Sequence, residues 1–384
     1  MKITIIGWYG TETIGDRAVL TGLISFFHKS FSRFELNLGS LYPFFSERTL
    51  NEDYFLYKEV IGRELTVNIF NSKNSKELFD AIKSSDLLVM GGGPLMDLDE
   101  LYMVEYAFKK AKKLGVKTAL FGCGVGPLFH KKYRRSVLKI SLNTDLHVLR
   151  DSQSKVFLSK IYAEFKETLD LTSVYTSFDP AVECALWYKQ NSLNIGQEFV
   201  AVNVRSFPSE YGKTIRAPYE IDNNMQLFIQ LLANRFIDRE IKLIPMHYFH
   251  IGGDDRAFLN KIALELKLDN VSVQNKNLTL KETLSIYSEA DFNVGMRFHA
   301  VVLQTIVSGR NYALDYTQPG NGKINSFFRD IDKKGFYKKR SVSLQEGVAN
   351  IELIENIKDS FIIEKEVIDK VLNVYAESLE WLRS

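Results

Sequence analysis

The chain has 384 residues, more than one hydrophobic core usually supports, which predicts two domains. Its charged fraction of 25% is ordinary for a globular protein, and a formal net charge of +2 gives no electrostatic footprint for nucleic acid. Cys123 and Cys184 match no disulfide, metal or redox spacing and fit a reduced, cytoplasmic setting. No apolar run approaches the ~20 residues of a membrane span, and Lys2 to Gly7 reads as a core strand rather than a signal peptide.

Short runs rich in Val, Ile and Leu alternate with longer amphipathic stretches. In the first half, strands are expected at Ile3 to Ile6, Asp86 to Met90, Lys117 to Phe121 and Asp145 to Leu149. Helices are expected over Ile14 to Phe27, Asp99 to Leu114 and Tyr133 to Leu142. Asp179-Pro180-Ala181 closes this half, and the polar stretch Lys189 to Glu198 reads as a linker. The pattern restarts with strands at Phe199 to Val204, Ile241 to Pro245, Val271 to Val273, Asp291 to Val294 and Tyr312 to Leu314. Strand–helix alternation predicts an α/β protein of two doubly wound, Rossmann-like parallel-sheet domains facing across a cleft. The expected boundaries are 1–188 and 189–360, with residues 361–384 forming a helix that packs back on the first domain.

Arg297 and His299 of Met296-Arg297-Phe298-His299 follow a buried strand, where the apolar run from Ala300 to Ser308 begins a helix. Free N–H groups and the helix dipole make that place an anion site, and the imidazole adds a group for proton transfer. Arg205 ends the strand from Val200 to Val204 and suits bidentate contact with carboxylate or phosphate; a surface salt bridge is the alternative. Glycine-bearing turns after strands, Gly7-Trp8-Tyr9-Gly10, Gly91-Gly92-Gly93-Pro94 and Gly122 to Pro127, would line a sugar or phosphate rim or merely make tight turns. Asp16 and Asp97 are candidates to bind sugar hydroxyls, or else helix caps. His247 and His250 with Asp254 and Asp255 imitate a metal cluster without a defined spacing; no metal is expected, and His247 reads as a polar cleft residue. The basic stretch Lys131, Lys132, Arg134 and Arg135, behind Phe129, is either a solvated face or a peripheral contact with the inner face of a membrane. The loop from Ser206 to Tyr219, with Lys213 and Arg216, is placed to close over a ligand.

These segments, in this order, resemble the polysaccharide pyruvyl transferases, which include the bacterial ketal-pyruvate transferases. The resemblance runs from Gly7 through Gly15-Asp16-Arg17, Asp86 to Pro94, Gly124 to Pro127, Arg150-Asp151, Asp179-Pro180-Ala181 and Asn203-Val204-Arg205 to the Arg297 segment. It implies a fold similar to GT-B glycosyltransferases, phosphoenolpyruvate as co-substrate with no further cofactor, and a pyruvate ketal formed on a bacterial polysaccharide precursor. It associates Arg205, Arg297, Phe298 and His299 with phosphoenolpyruvate, and Phe298 stands where the family usually has leucine. The segment Asp315 to Lys323 is longer than the family's compact Tyr-to-Lys turn. Gly10, Asp16, Gly92, Gly93, Asp97, His247 and Lys323 are the candidate acceptor residues, the acceptor being a sugar, expected as a lipid-linked oligosaccharide. The competing readings are a nucleotide-sugar glycosyltransferase or epimerase on the same fold, and a non-catalytic glycan-binding protein.

Overall fold

A computed structural model describes residues 1–193, 195–208, 217–249, 253–317, 319–347, 354 and 359–381. They form two compact units: Met1–Glu12, Asp16–Cys184 and Lys365–Ser384 in unit 1, and Thr13–Gly15 with Ala185–Glu364 in unit 2.

Unit 1 runs β1 (Lys2–Ile6), α1 (Ile14–Ser30, whose first two residues belong to unit 2), β2 (Glu35–Ser40), α2 (Pro43–Glu52), α3 (Tyr54–Ile61), β3 (Val67–Asn71) and α4 (Ser75–Lys83). It continues through β4 (Leu87–Gly91), β5 (Pro94–Leu95), α5 (Leu101–Leu114), β6 (Lys117–Val125), α6 (Lys131–Leu142), β7 (Leu146–Leu149), α7 (Ser152–Glu164) and β8 (Val174–Thr176). The strands pair in the order β3-β2-β1-β4-β6-β7-β8, all parallel, with β5 beside β6. Helices on the faces of such a sheet leave its central strands without a wet side, so every residue of β4 is buried.

Glycines expected to turn the chain after Phe121 instead continue β6 to Val125. Gly122 takes φ +73° at a register shift between Phe121 and Cys123, a bulge that a residue with a Cβ would strain. Beside it Gly124 lets the buried Arg150 guanidinium lie on the strand, where an added Cβ would come within 2.5 Å of it. Arg150 in turn pairs with Asp151 at 3.4 Å and Asp179 at 3.6 Å.

The expected linker is shorter than its polarity implies, because α8 (Ala181–Asn191) runs into it. Unit 2 then contains β9 (Gln197–Asn203), α9 (Pro218–Arg235), β10 (Glu240–Leu243), α10 (Asp255–Leu266), β11 (Val271–Val273) and α11 (Leu280–Glu289). It ends with β12 (Ala290–Gly295), α12 (Phe298–Val307), β13 (Asn311–Asp315), α13 (Lys323–Ile331) and β14 (Ser341–Ser343). The strand order β11-β10-β9-β12-β13-β14 is the 3-2-1-4-5-6 order of a Rossmann sheet. Local chemistry sets the helix starts: Asp254 caps α10 through Arg256 N–H, and Thr279 with Glu282 forms a reciprocal capping box on α11.

The last helix, α14 (Lys365–Glu380), belongs to unit 1. Val367, Val371, Tyr375 and Leu379 recur every fourth residue and are all buried. Tyr375 stacks on Phe26 at 4.1 Å between centroids, meets Phe121 edge-on, and donates its hydroxyl proton to the Phe178 carbonyl.

Candidate functional site

A doubly wound sheet binds ligands beyond the carboxyl ends of its strands, where the strand order reverses. In unit 2 that point lies between β9 and β12. Two residues past β9 stands Arg205, and two residues past β12 stands Arg297, the N-cap of α12. The fully buried Asn203 ties these strand ends together: its Oδ1 accepts the Arg297 N–H at 3.0 Å, while its Nδ2 donates to the Ile244 carbonyl at 2.9 Å. Arg205 N–H closes the same corner on Met296 Sδ at 3.4 Å.

Asp255 aims the Arg297 side chain. Nε and Nη2 donate to the two oxygens of this buried carboxylate at 2.8 and 2.6 Å, a side-on bidentate pair. Asp255 Oδ2 also accepts the backbone N–H groups of Met246 and His247 at 2.9 and 3.1 Å. The apparent metal cluster is thereby explained differently. Asp255 holds an arginine, Asp254 caps α10 and pairs with Arg256 at 2.6 Å, and His247 is buried with its backbone bonded to Asp255. His250 lies outside the described residues, and among the described residues no His/Cys/Asp/Glu group could hold a metal.

The two arginines converge on Gly253. Arg297 Nη2 is 3.5 Å from its carbonyl, and Arg205 Nη2 lies 4.0 Å from where its Cβ would stand. On the next strand, the buried Tyr316 follows β13 directly. Lys323, the first residue of α13, places its ammonium 5.4 Å from the Tyr316 ring and 5.7 Å from the Phe298 ring. Lys323, expected on the acceptor side, thus lies beside Phe298, one of the residues expected at the donor, and the longer connection from Tyr316 does not separate Tyr316 from Lys323. Burial pushes the Tyr316 phenol up, but Lys323, Arg205 and Arg297, with a hydrogen bond from Lys323, outweigh it and bring it below its usual 10.0. Arg297 and Lys323 both occupy helix N-termini, where the dipole disfavours a cation unless an anion joins it.

His299 stands in the first turn of α12, its ring 5.1 Å from that of Phe298 in a T-shaped contact. Gly15 presses on the imidazole: an added Cβ would fall 2.0 Å from Nδ1. This segment of unit 2 is held by Ile14 N–H on the Met246 carbonyl at 3.0 Å and by a bridge from Thr13 to His247. Gly15→Ala is therefore expected to displace His299, and a 1 Å misplacement costs about 10²-fold in turnover. Steady-state kinetics checks this; an unchanged rate would show that the imidazole position does not matter.

The acceptor candidates of unit 1 have local partners. Gly92 and Gly93 take φ +77° and +73° and lie against Val19 and Trp8, whose atoms would be 2.0 and 2.3 Å from an added Cβ. Gly10 is similarly enclosed by Ser40 and Tyr42. Asp16 sits in the first turn of α1, where the dipole favours it. Asp97 Oδ2 accepts the N–H groups of Phe129 and His130 at 3.0 and 3.1 Å and meets His130 Nδ1 at 2.7 Å, closing the loop before α6.

The basic stretch is also paired within unit 1. Arg134 is bidentate to Glu164, Lys132 lies 3.6 Å from Asp99, and Lys131 and Arg135 stack over Phe165. Among the described residues, no helix is long and apolar enough to cross a membrane. Residues 209–216, with Lys213 and Arg216, lie outside the described residues.

Sequence reasoning missed Asn203 and Asp255 as positioning residues, and noted Tyr316 only as part of the segment from Asp315 to Lys323. A polar side chain at the end of a buried strand is the signal that marks Asn203; an acidic residue tens of positions from its arginine carries none.

Solved structures similar to this chain include the UDP-GlcNAc 2-epimerase of Neisseria meningitidis bound to UDP-GlcNAc. It has a TM-score of 0.58 and 12% identity, over 99% of this chain and 100% of that one. The UDP-GlcNAc 2-epimerase of Methanocaldococcus jannaschii, in complex with UDP-GlcNAc and UDP, gives 0.59 and 11% over 100% and 99%. At such identities the likeness shows the fold alone, a two-domain Rossmann-like fold of the GT-B kind. No curated protein sequence matches the chain. The model of the polysaccharide pyruvyl transferases matches residues 14–306, from the glycine against His299 through Arg205, Arg297 and most of α12, and the chain belongs to that family.

Proposed function

We propose that this transferase moves pyruvate from phosphoenolpyruvate to two hydroxyls of one sugar of a polysaccharide precursor, forming a ketal and releasing phosphate. The observation that carries this reading is the gathering of Arg205 and Arg297, just past the ends of adjacent strands, with Lys323 at the start of α13, two of the three at helix N-termini and Lys323 against the Phe298 ring next to His299. Phosphoenolpyruvate carries a carboxylate and a phosphate, anionic groups that suit a cluster of cations and helix N-termini. Arg297, fixed by Asp255, orients the donor, and Arg205 and Lys323 neutralise it. Protonation of the methylene carbon gives the central carbon oxocarbenium character, a sugar hydroxyl attacks that carbon, and the cations and helix dipoles stabilise the charge on the departing phosphate. His299 takes the hydroxyl proton and passes it to the departing phosphate.

Phosphoenolpyruvate at 100 times its Kd should stabilise the protein by about 2.7 kcal/mol. Thermal shift measures this, and incubation with a panel of lipid-linked oligosaccharides should release phosphate and add the pyruvate ketal mass. Stabilisation by nucleotide sugars but not by phosphoenolpyruvate would replace this reading with a glycosyltransferase or epimerase.

A further inference from the structure

Ketal formation sets two proton tasks that one imidazole serves poorly. The methylene carbon of the donor must gain a proton, while two hydroxyls must each lose one. The residue after β13 supplies a second group: Tyr316, buried, with the Lys323 ammonium 5.4 Å from its ring and the charges of Arg205 and Arg297 also acting on its phenol.

We propose that Tyr316 is a second catalytic acid–base residue, protonating the methylene carbon of the enol phosphate, a role that rests on the reading above. A lysine ammonium has donors and no acceptor, so the hydrogen bond between the pair runs from Lys323 to the phenol oxygen. The phenol proton is therefore not spent on Lys323. Lys323 also contacts the Phe298 ring, which touches that of His299, so the two proton carriers flank one contiguous patch of unit 2.

The protons and bonds balance. The Tyr316 O–H breaks and a C–H bond forms at the methylene carbon, leaving a phenolate and an oxocarbenium-like centre. The first hydroxyl bonds to that centre and gives its proton to His299. The carbon–oxygen bond to phosphate then breaks, and the leaving phosphate takes the His299 proton. The second hydroxyl closes the ketal and returns a proton to Tyr316. Of the two hydroxyl protons, one has become net methyl hydrogen and the other resides on phosphate.

The charged groups facing this phenol are Lys323 of α13, Arg205 beyond β9, Arg297 before α12 and, next to it in the chain, the buried Asp315. Three cations stabilise the phenolate, which favours proton release to carbon. Bound donor offsets those cations and favours the neutral phenol, the form that must be present at the start. The phenol must be protonated to donate, so kcat/KM falls as pH rises through its free-enzyme pKa, below the ordinary 10.0.

Tyr316→Phe keeps the ring and removes only the oxygen. The variant should keep its melting temperature and its stabilisation by phosphoenolpyruvate, release phosphate ~10²–10⁴-fold more slowly, and lose the high-pH limb of kcat/KM. Turnover within tenfold of wild type with the limb intact overturns the assignment, as does loss of donor stabilisation, which would make Tyr316 a binding group. Should Tyr316→Phe not fold, Lys323→Gln decides: removing the nearest cation must move the limb to higher pH, and an unmoved limb overturns the proposal. Failure of the parent reading is distinct, because the wild-type chain itself would then show no response to phosphoenolpyruvate.

Discussion

Arg297→Ala is expected to raise the KM for phosphoenolpyruvate by on the order of 10²-fold or more and to destabilise the fold at the same time. The binding loss follows from removing a preorganised guanidinium from a charge-paired site, worth about 2–5 kcal/mol. The stability loss follows from Asp255, whose side chain is 1% exposed and whose cation would be gone. Breaking a buried pair by deleting one partner costs about 3–5 kcal/mol. The two N–H groups of Met246 and His247 that Asp255 keeps should hold the value to the lower end. Arg297→Lys separates the contributions: the charge remains, so much of the stability should return, while the side-on fork to Asp255 and its aim are lost. Denaturant titration and donor-dependent kinetics measure the two independently. An Arg297→Lys variant with wild-type KM would remove the orienting role of the pair.

His299→Ala and His299→Gln are expected to lower kcat by ~10²–10⁴-fold while leaving donor stabilisation largely in place. Glutamine keeps a side chain that hydrogen-bonds phosphate but cannot relay a proton near neutral pH. If His299 is only a phosphate ligand, glutamine should retain turnover with a raised KM for phosphoenolpyruvate, and the proton role assigned to it fails. Gly15→Ala is a third, independent probe, because it leaves the imidazole in the sequence and moves only its position.

Elements governed by local chemistry were readable in advance. The strands at Ile3, Val271 and Tyr312 and the helix from Ile14 to Phe27 stand within a few residues of their expected bounds. Others were not readable, for definite reasons. β2 (Glu35–Ser40) and β14 (Ser341–Ser343) carry polar residues and take their strand form from a neighbouring strand that presents a free edge. β6 runs on through Gly122 because a bulge absorbs the glycine, where local rules place a turn.

The linear chain by itself determined the α/β alternation and marked the Arg297–His299 turn and Arg205 as candidates for an anion site. Each depends on a residue type placed at the end of an apolar run, information that is local. Tertiary structure alone decided that Asp255 aims Arg297, that Gly15 seats His299, and that Lys323 lies against Tyr316. Those pairings depend on which strands become neighbours. In unit 2 that is settled by a sheet that places β9 beside β12 although some ninety residues of chain separate them, since burying both faces of the parallel strands outweighs the cost of closing so long a loop.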